Sequence, residues 1–135
     1  MSNYLSIACL QYASTKVENK TLEIVEKLIV EAVNLGAELI ALPECATSLH
    51  ENSAFTKEFA SYEEESISLN FFKKSAKFYS LYILVGSLPI KYRDKLVNRS
   101  FLIGPNGRVI SNTIKSICLM LNCLMAIFLK SQTHI

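Results

Sequence analysis

The chain alternates between short apolar runs of strand length and longer stretches in which apolar residues recur at helical spacing. Residues 4–11 are a nearly continuous apolar run, which is typical of a strand buried on both faces of a sheet. Across residues 17–35 the apolar positions follow helical spacing and the opposite face is charged, which predicts an amphipathic helix closed by Gly36. Residues 38–42 are a second apolar run that stops at Pro43. Strand, helix and strand in this order predict a βαβ unit with a parallel strand pair.

The middle of the chain predicts a loop, a helix and a third strand. Residues 45–65 are polar and aromatic without a clear period, so we interpret them as a long loop or short helices. Helical spacing returns across residues 67–79. Residues 81–88 are strongly apolar and predict a strand that Pro89 ends.

The next segment predicts a β-hairpin, and the chain then changes character. Residues 96–103 and 108–111 predict two strands joined by a turn with Pro and Gly at favoured positions. We therefore expect one α/β domain over residues 4–112 and an aberrant apolar tail over residues 113–135. The tail's apolar core, residues 117–129, is shorter than the roughly twenty residues that a bilayer requires, so no membrane span is predicted.

Composition narrows the class of protein. The 135 residues are 50% hydrophobic and 19% charged, which fits a globular core and excludes a disordered chain. There are 14 basic and 12 acidic residues, and the basic ones form no run with interleaved aromatics, so no nucleic-acid partner is expected. The pair Lys73-Lys74 is interpreted as a solvated helix face.

The amino terminus and the cysteines predict a cytoplasmic protein without a metal or a cofactor. The first residues carry no basic segment and no small-residue cleavage site, so no secretory signal is expected. The four cysteines are interpreted as free thiols in a reducing cytosol, and their spacing lacks a zinc pattern. The segment after the first strand, with Ser14-Thr15, contains no glycine, which argues against a flavodoxin-like cofactor binder.

Glu44 is the first candidate for chemistry. It follows Pro43 at the predicted carboxyl end of the second strand, where α/β sheets bind their ligands. By position alone, a glutamate here is more often a solvated surface residue.

Four motifs in order change that interpretation. They are Ile7-Ala-Cys-Leu-Gln11, Ala41-Leu-Pro-Glu-Cys-Ala46 preceded by Gly36-Ala-Glu-Leu-Ile40, Val85-Gly-Ser-Leu-Pro89, and Asn98-Arg-Ser-Phe-Leu-Ile-Gly-Pro-Asn-Gly107. Together they resemble the amino-terminal part of the nitrilase superfamily of carbon–nitrogen hydrolases. The resemblance covers about residues 5–112.

The resemblance implies a fold and a reaction. Members fold as a four-layer α-β-β-α sandwich, so this chain is expected to be an incomplete sandwich of the α/β class, mostly the first sheet and its helices. Members hydrolyse small amides or nitriles with a Glu-Lys-Cys triad and no cofactor, and intact relatives are expected to be homo-oligomers. Glu44 would be the general base that deprotonates the cysteine thiol and then protonates the leaving amine.

The resemblance breaks after Asn112. The family continues with a segment similar to Tyr-Asp-Lys-Ile-His-Met-Phe-Asp, which contains the triad lysine, and the cysteine follows further on. This chain instead reads Thr113-Ile-Lys-Ser-Ile-Cys-Leu-Met120. A set of codons exists for which one added base after codon 112 restores the family segment, so we expect residues 113–135 to be frameshifted. Lys115 keeps the spacing of the triad lysine and is the secondary candidate.

The remaining candidate nucleophiles do not fit the triad. Cys45 adjoins Glu44, but neighbouring side chains of an extended segment point in opposite directions. Cys9 is expected to be buried and inert, Cys118 and Cys123 belong to the aberrant tail, and His50 is expected to be a solvated loop residue.

Two hypotheses therefore stand. The first is a truncated, inactive fragment of an amidase-type hydrolase. The second is a non-enzymatic α/β binding module that docks onto an intact homologue through exposed sheet edges and the apolar tail.

Overall fold

The structure, a computed structural model, describes residues 4–47 and 60–114. The strands are β1 (Ile7–Cys9), β2 (Leu39–Ala41), β3 (Ser61–Tyr62), β4 (Tyr82–Tyr92), β5 (Lys95–Ile103) and β6 (Val109–Ile114). The helices are α1 (Glu18–Asn34), α2 (Ile67–Tyr79) and a single 3-10 turn at Glu63–Glu65.

All six strands belong to one mixed sheet with the order β1-β2-β4-β5-β6, and β3 pairs beside β4. β1 runs parallel to β2, and both β2 and β3 run parallel to β4. β4, β5 and β6 form an antiparallel meander. The predicted βαβ unit and the predicted hairpin are both confirmed.

Both helices pack on the same face of the sheet. Alternate residues of the strands point toward them and form the main core, for example Ile40, Ile83 and Phe101. The buried stripe of α1 and α2 that meets them consists of Leu22, Val25, Ile29, Ala32, Leu69, Phe72 and Ala76. The opposite strand residues form a second, smaller apolar cluster of Leu39, Ala41, Leu84 and Leu102. Because the strands bury residues on both faces, β2 and β4 appear in the sequence as continuous apolar runs rather than alternating ones.

Local sequence signals explain where the helices begin and end. Gly36 adopts a φ of 84°, and the amide of Ala37 donates to the carbonyl of Ala32 at 3.0 Å, which closes α1 in a Schellman motif. The hydroxyl of Ser66 accepts from the amide of Leu69 at 3.2 Å and caps the start of α2.

Two predictions about strands are wrong. β1 is not buried on both faces: Ile7 is 43% exposed because β1 is an edge strand and this residue lies on the face away from the helices. Pro89 does not end β4, which continues to Tyr92 with Pro89 opposite Asn98. The β-bulge of β4 lies earlier, between Val85 and Leu88, and regular pairing with β5 resumes before Pro89.

The predicted loop and tail are described only in part. Residues 61–65 of the loop form β3 and the 3-10 turn, whereas residues 48–59 and 115–135 lie outside the described residues. β6 includes Thr113 and Ile114, two residues past the predicted boundary, and the division at residue 113 stays a prediction. Neither described helix has the length and apolar character to cross a bilayer.

The core position of Phe72 and the surface position of Phe78, on the same helix, form a matched pair. Phe72 is 0% exposed and Phe78 is 79% exposed. We expect Phe72→Ala to lower the free energy of unfolding by about 3–5 kcal/mol through lost burial and a cavity. Phe78→Ala should change it by less than about 0.5 kcal/mol. Urea unfolding followed by circular dichroism measures both, and equal losses would contradict the packing of α2 described above.

Candidate active site

Glu44 lies in a turn directly beyond the carboxyl end of β2. The amide of Leu42 still donates to the carbonyl of Leu84 in β4 at 2.9 Å, so the parallel pairing runs one residue past the strand. Pro43 has no amide hydrogen and ends it. Cys45 then turns the chain with a φ of 51°, in the left-handed region. The side chain of Glu44 is exposed, at the sheet edge where the sequence predicts it.

Ser87 of β4 holds this turn from one side. The amide of Cys45 donates to the hydroxyl oxygen of Ser87 at 2.9 Å, and the amide of Ala46 donates to the backbone carbonyl of Ser87 at 3.0 Å. Ser87 is completely buried. The two amides that follow Glu44 are therefore both bound by one residue of the neighbouring strand.

Residues that follow β1 hold the same turn from the other side. The hydroxyl of Tyr12 donates to the carbonyl of Ala46 at 2.6 Å, and the hydroxyl of Ser14 donates to the carbonyl of Cys45 at 2.9 Å. Burial raises the pKa of Tyr12 above its ordinary value, so this hydroxyl stays protonated and remains a donor throughout the physiological range. The carbonyls of Cys45 and Ala46, like their amides, therefore each have a hydrogen-bond partner outside the turn.

Gly86 allows the turn to approach β4 closely. A Cβ atom at this position would lie 2.3 Å from the carbonyl oxygen of Pro43 and 2.6 Å from that of Leu42. Only glycine fits between these backbones, so its identity follows from the close approach.

An ion pair between the buried Arg99 and the half-buried Glu63 lies beside the end of this bulged part of β4. Arg99 of β5 is opposite Leu88. Its Nη1 donates to the carboxylate of Glu63 at 2.9 Å. Its guanidinium carbon lies 4.7 Å from the centre of the Tyr92 ring. Arg99 is 8% exposed, and its Nε has no hydrogen-bond partner within residues 4–47 and 60–114. A buried guanidinium requires a partner to offset the loss of its hydration. The pair therefore joins the 3-10 turn to β5.

The predictions about Cys9 and Cys45 need correction. Cys9 is exposed rather than buried, because β1 is an edge strand and Cys9 pairs with Ala41 on the face away from the helices. Cys45 is half-buried, and the reason given against it fails, because Glu44 and Cys45 form a turn rather than an extended segment.

The other candidates lie beyond what the structure describes. Lys115, His50, Cys118 and Cys123 fall outside residues 4–47 and 60–114. The strand register nevertheless places the end of β6 at the same sheet edge as Glu44, because Ile114 is level with Arg99, which is level with Leu88. In a flat sheet, the three strand spacings from β2 to β6 amount to about 14 Å. The role of Lys115 stays a prediction.

The site contains no recognisable metal ligand set. Over the described ranges, no three His, Cys, Asp or Glu side chains come together in a way that would hold a metal ion. What the arrangement offers chemically is one exposed carboxylate on a turn that is fixed on both sides.

Comparison with known proteins decides the family. The carbon-nitrogen hydrolase family profile matches residues 6–120. The chain belongs to the carbon–nitrogen hydrolase family. The superfamily resemblance carried by the four motifs is thereby confirmed.

Curated relatives support the same assignment. The chain is 36% identical over 108 residues to "Omega-amidase NIT2" of Bos taurus, covering 78% of this chain and 37% of the relative. It is 30% identical over 105 residues to "Hydrolase C26A3.11" of Schizosaccharomyces pombe, covering 78% of this chain and 33% of the relative. This carbon–nitrogen hydrolase chain therefore spans about a third of the length of these relatives.

Solved structures show the fold. An amidase of the nitrilase superfamily from Nesterenkonia AN1 superposes with a TM-score of 0.71 at 18% identity, over 82% of this chain and 42% of that one. A crystal structure of an N-terminal amidase gives a TM-score of 0.72 at 18% identity, over 83% of this chain and 28% of that one. The expected fold class, one sheet and its helices from a nitrilase-type sandwich, is confirmed.

The close approach at Gly86 provides a test of the site geometry. We expect Gly86→Ala to lower the free energy of unfolding by about 1–3 kcal/mol, because the added methyl group displaces the Pro43 backbone. Gly104→Ala is the matched control, since the atoms nearest to its methyl group would be side-chain atoms of Ile110 and Asn106, which can move, rather than backbone. Urea unfolding of both variants measures the difference, and a harmless Gly86→Ala would contradict the packing of this turn.

Proposed function

We propose that this chain carries the general-base carboxylate of an amidase-type carbon–nitrogen hydrolase, and that Glu44 is that base. The observation that supports the proposal is the position of Glu44 on a doubly held turn at the carboxyl edge of the parallel strands. The names of the relatives, an omega-amidase and an amidase, favour an amide substrate over a nitrile.

In the proposed reaction Glu44 transfers one proton in each of two successive steps. It removes the thiol proton of a cysteine as the sulfur attacks the amide carbon, and a lysine stabilises the oxyanion that forms. It then gives that proton to the departing amine as the carbon–nitrogen bond breaks and a thioester remains. Water then attacks the thioester, and Glu44 takes a proton from this water and passes it to the departing sulfur. This step releases the carboxylic acid and restores the thiol.

We also propose that the 135-residue chain does not catalyse this reaction by itself. Glu44 is exposed, whereas a base of this kind acts from a pocket that excludes water and places the thiol within hydrogen-bond reach. Of the two cysteines among the described residues, Cys9 lies on the face of β1 away from the helices, and Cys45 is held through its backbone by Ser87. We therefore expect neither cysteine to act as the nucleophile beside Glu44.

The tail belongs to the same proposal. We propose that residues 113–135 are out-of-frame translation. We also propose that Lys115 occupies the position of the oxyanion-binding lysine, because codons exist with which both reading frames encode lysine there. Sequencing the gene across codons 110–125 tests this. Codons that cannot yield the family segment by insertion of one base would contradict it.

The location and partners complete the proposal. We propose that the protein is cytosolic, that the substrate of the intact family is a small amide, and that intact relatives form homo-oligomers. The free thiols of Cys9 and Cys45 fit a reducing compartment. Recovery of the protein in a secreted fraction after cell fractionation would contradict the cytosolic location.

The role of Glu44 is tested in a fusion that supplies the rest of a relative. Residues 1–112 of this chain replace the matching segment of the bovine omega-amidase. In the active fusion, Glu44→Gln should lower kcat/KM by about 10²–10⁴-fold, because a neutral amide cannot accept the thiol proton. Glu31→Gln, an exposed glutamate of α1, is the matched control and should leave the rate unchanged. Full activity of the Glu44→Gln fusion would rule out this residue as the base.

The inactivity of the chain alone is tested with simple amides, including an omega-amide of a dicarboxylic acid. We expect no ammonia release above the buffer rate from the purified 135-residue protein. Ammonia release that persists in the Glu44→Gln variant indicates a contaminating amidase. Release that disappears in both Glu44→Gln and Cys45→Ser would contradict the proposal and identify Cys45 as a nucleophile.

A further inference from the structure

β4 contains one extra residue beside the site. Val85 pairs with Phe101 and Leu88 pairs with Arg99, so Gly86 and Ser87 together stand opposite the single residue Ser100. This is a β-bulge, which changes the direction of side chains and occurs often next to active sites. The hydroxyl of Ser100 donates to the carbonyl of Gly86 and ties the bulge to β5.

Both residues of the bulge act on the turn that carries Glu44. Gly86 removes the side chain that would collide with the Pro43 carbonyl, immediately before Glu44. Ser87 binds the amides of Cys45 and Ala46, immediately after Glu44. The backbone on each side of the candidate base is therefore determined by the same two consecutive residues.

We propose that the Gly86–Ser87 bulge is the positioning element of Glu44, with Ser87 as its principal positioning residue. This inference rests on the proposed function of Glu44. A catalytic group must be held within about 0.5 Å of its productive position, and an exposed turn does not achieve this by its own packing. Fixing the peptide groups that flank Glu44 determines where its side chain begins.

The conformation of Cys45 shows why an outside partner is needed. A non-glycine residue with a φ of 51° is in a region that L-residues occupy at an energetic cost. Its amide receives a partner only because the serine hydroxyl reaches across from β4. Tyr12 and Ser14 support the turn from the opposite side through its carbonyls, so the bulge and the segment after β1 act together.

The test uses the full 135-residue chain and NMR. In Ser87→Ala the Cys45 amide loses its acceptor, and its hydrogen exchange should become about tenfold faster. The carboxyl carbon signal of Glu44 at fixed pH should shift or broaden as the turn samples other conformations. Ser87→Thr retains the hydroxyl and should restore slow exchange. Ser68→Ala removes another buried serine hydroxyl, on α2, and should leave the Cys45 amide and the Glu44 signal unchanged.

Several results would overturn the proposal. The proposal is wrong if the hydrogen exchange of the Cys45 amide is unchanged in Ser87→Ala. It is also wrong if the amides of β5 all exchange faster to the same extent, because that indicates general destabilisation. If Ser87→Ala does not fold, Ser100→Ala removes only the hydroxyl that ties the bulge to β5. An unmoved Glu44 signal in that variant also overturns the proposal. These readouts do not depend on activity, so they are separate from the Glu44→Gln test of the function itself.

Discussion

The backbone contact between Pro43 and Gly86 is the constraint on which the rest of the site depends. The pairing of the parallel strands β2 and β4 extends to Leu42. Immediately afterwards the backbones of Pro43 and Gly86 are so close that no side chain fits between them. This contact brings Ser87 within reach of the Cys45 amide. It also determines where Glu44 leaves the sheet. The backbone that carries this carboxylate is consequently fixed by the sheet itself.

Much of the fold was predictable because burial leaves a periodic signal. The amphipathic pattern predicted α1 and α2 within a residue or two, and continuous apolar runs predicted β2 and most of β4. Gly36 and the Gly104 to Gly107 turn carried clear signals for the helix end and the hairpin. Glu44 was found by its place after a strand and by the motif around it. These features depend on neighbours in sequence or on simple periodicity, so a single sequence contains them.

The parts that were missed depend on contacts between distant residues. The exposure of β1 and Cys9 follows from the position of β1 at the sheet edge, which its own sequence does not reveal. A proline after an apolar run predicts a strand end, and only the pairing of β4 with the distant residues of β5 shows that the strand continues through Pro89. The ion pair of Arg99 with Glu63 joins residues with no common pattern. In the sequence, the bulge could be predicted only from Gly86-Ser87 within an apolar run. A glycine followed by a serine is too common to predict a bulge.

The hydrogen bonds around the Glu44 turn also have a kinetic consequence. Tyr12 is 34 residues from Ala46 in sequence, and Cys45 is 42 residues from Ser87, so no local segment contains both partners of any of these bonds. Such long-range pairs form only after the intervening chain has been ordered, which places them late in folding. During synthesis the turn therefore stays unformed until β4 has left the ribosome and joined the sheet. The turn that carries Glu44 is accordingly expected to reach its final conformation late in assembly.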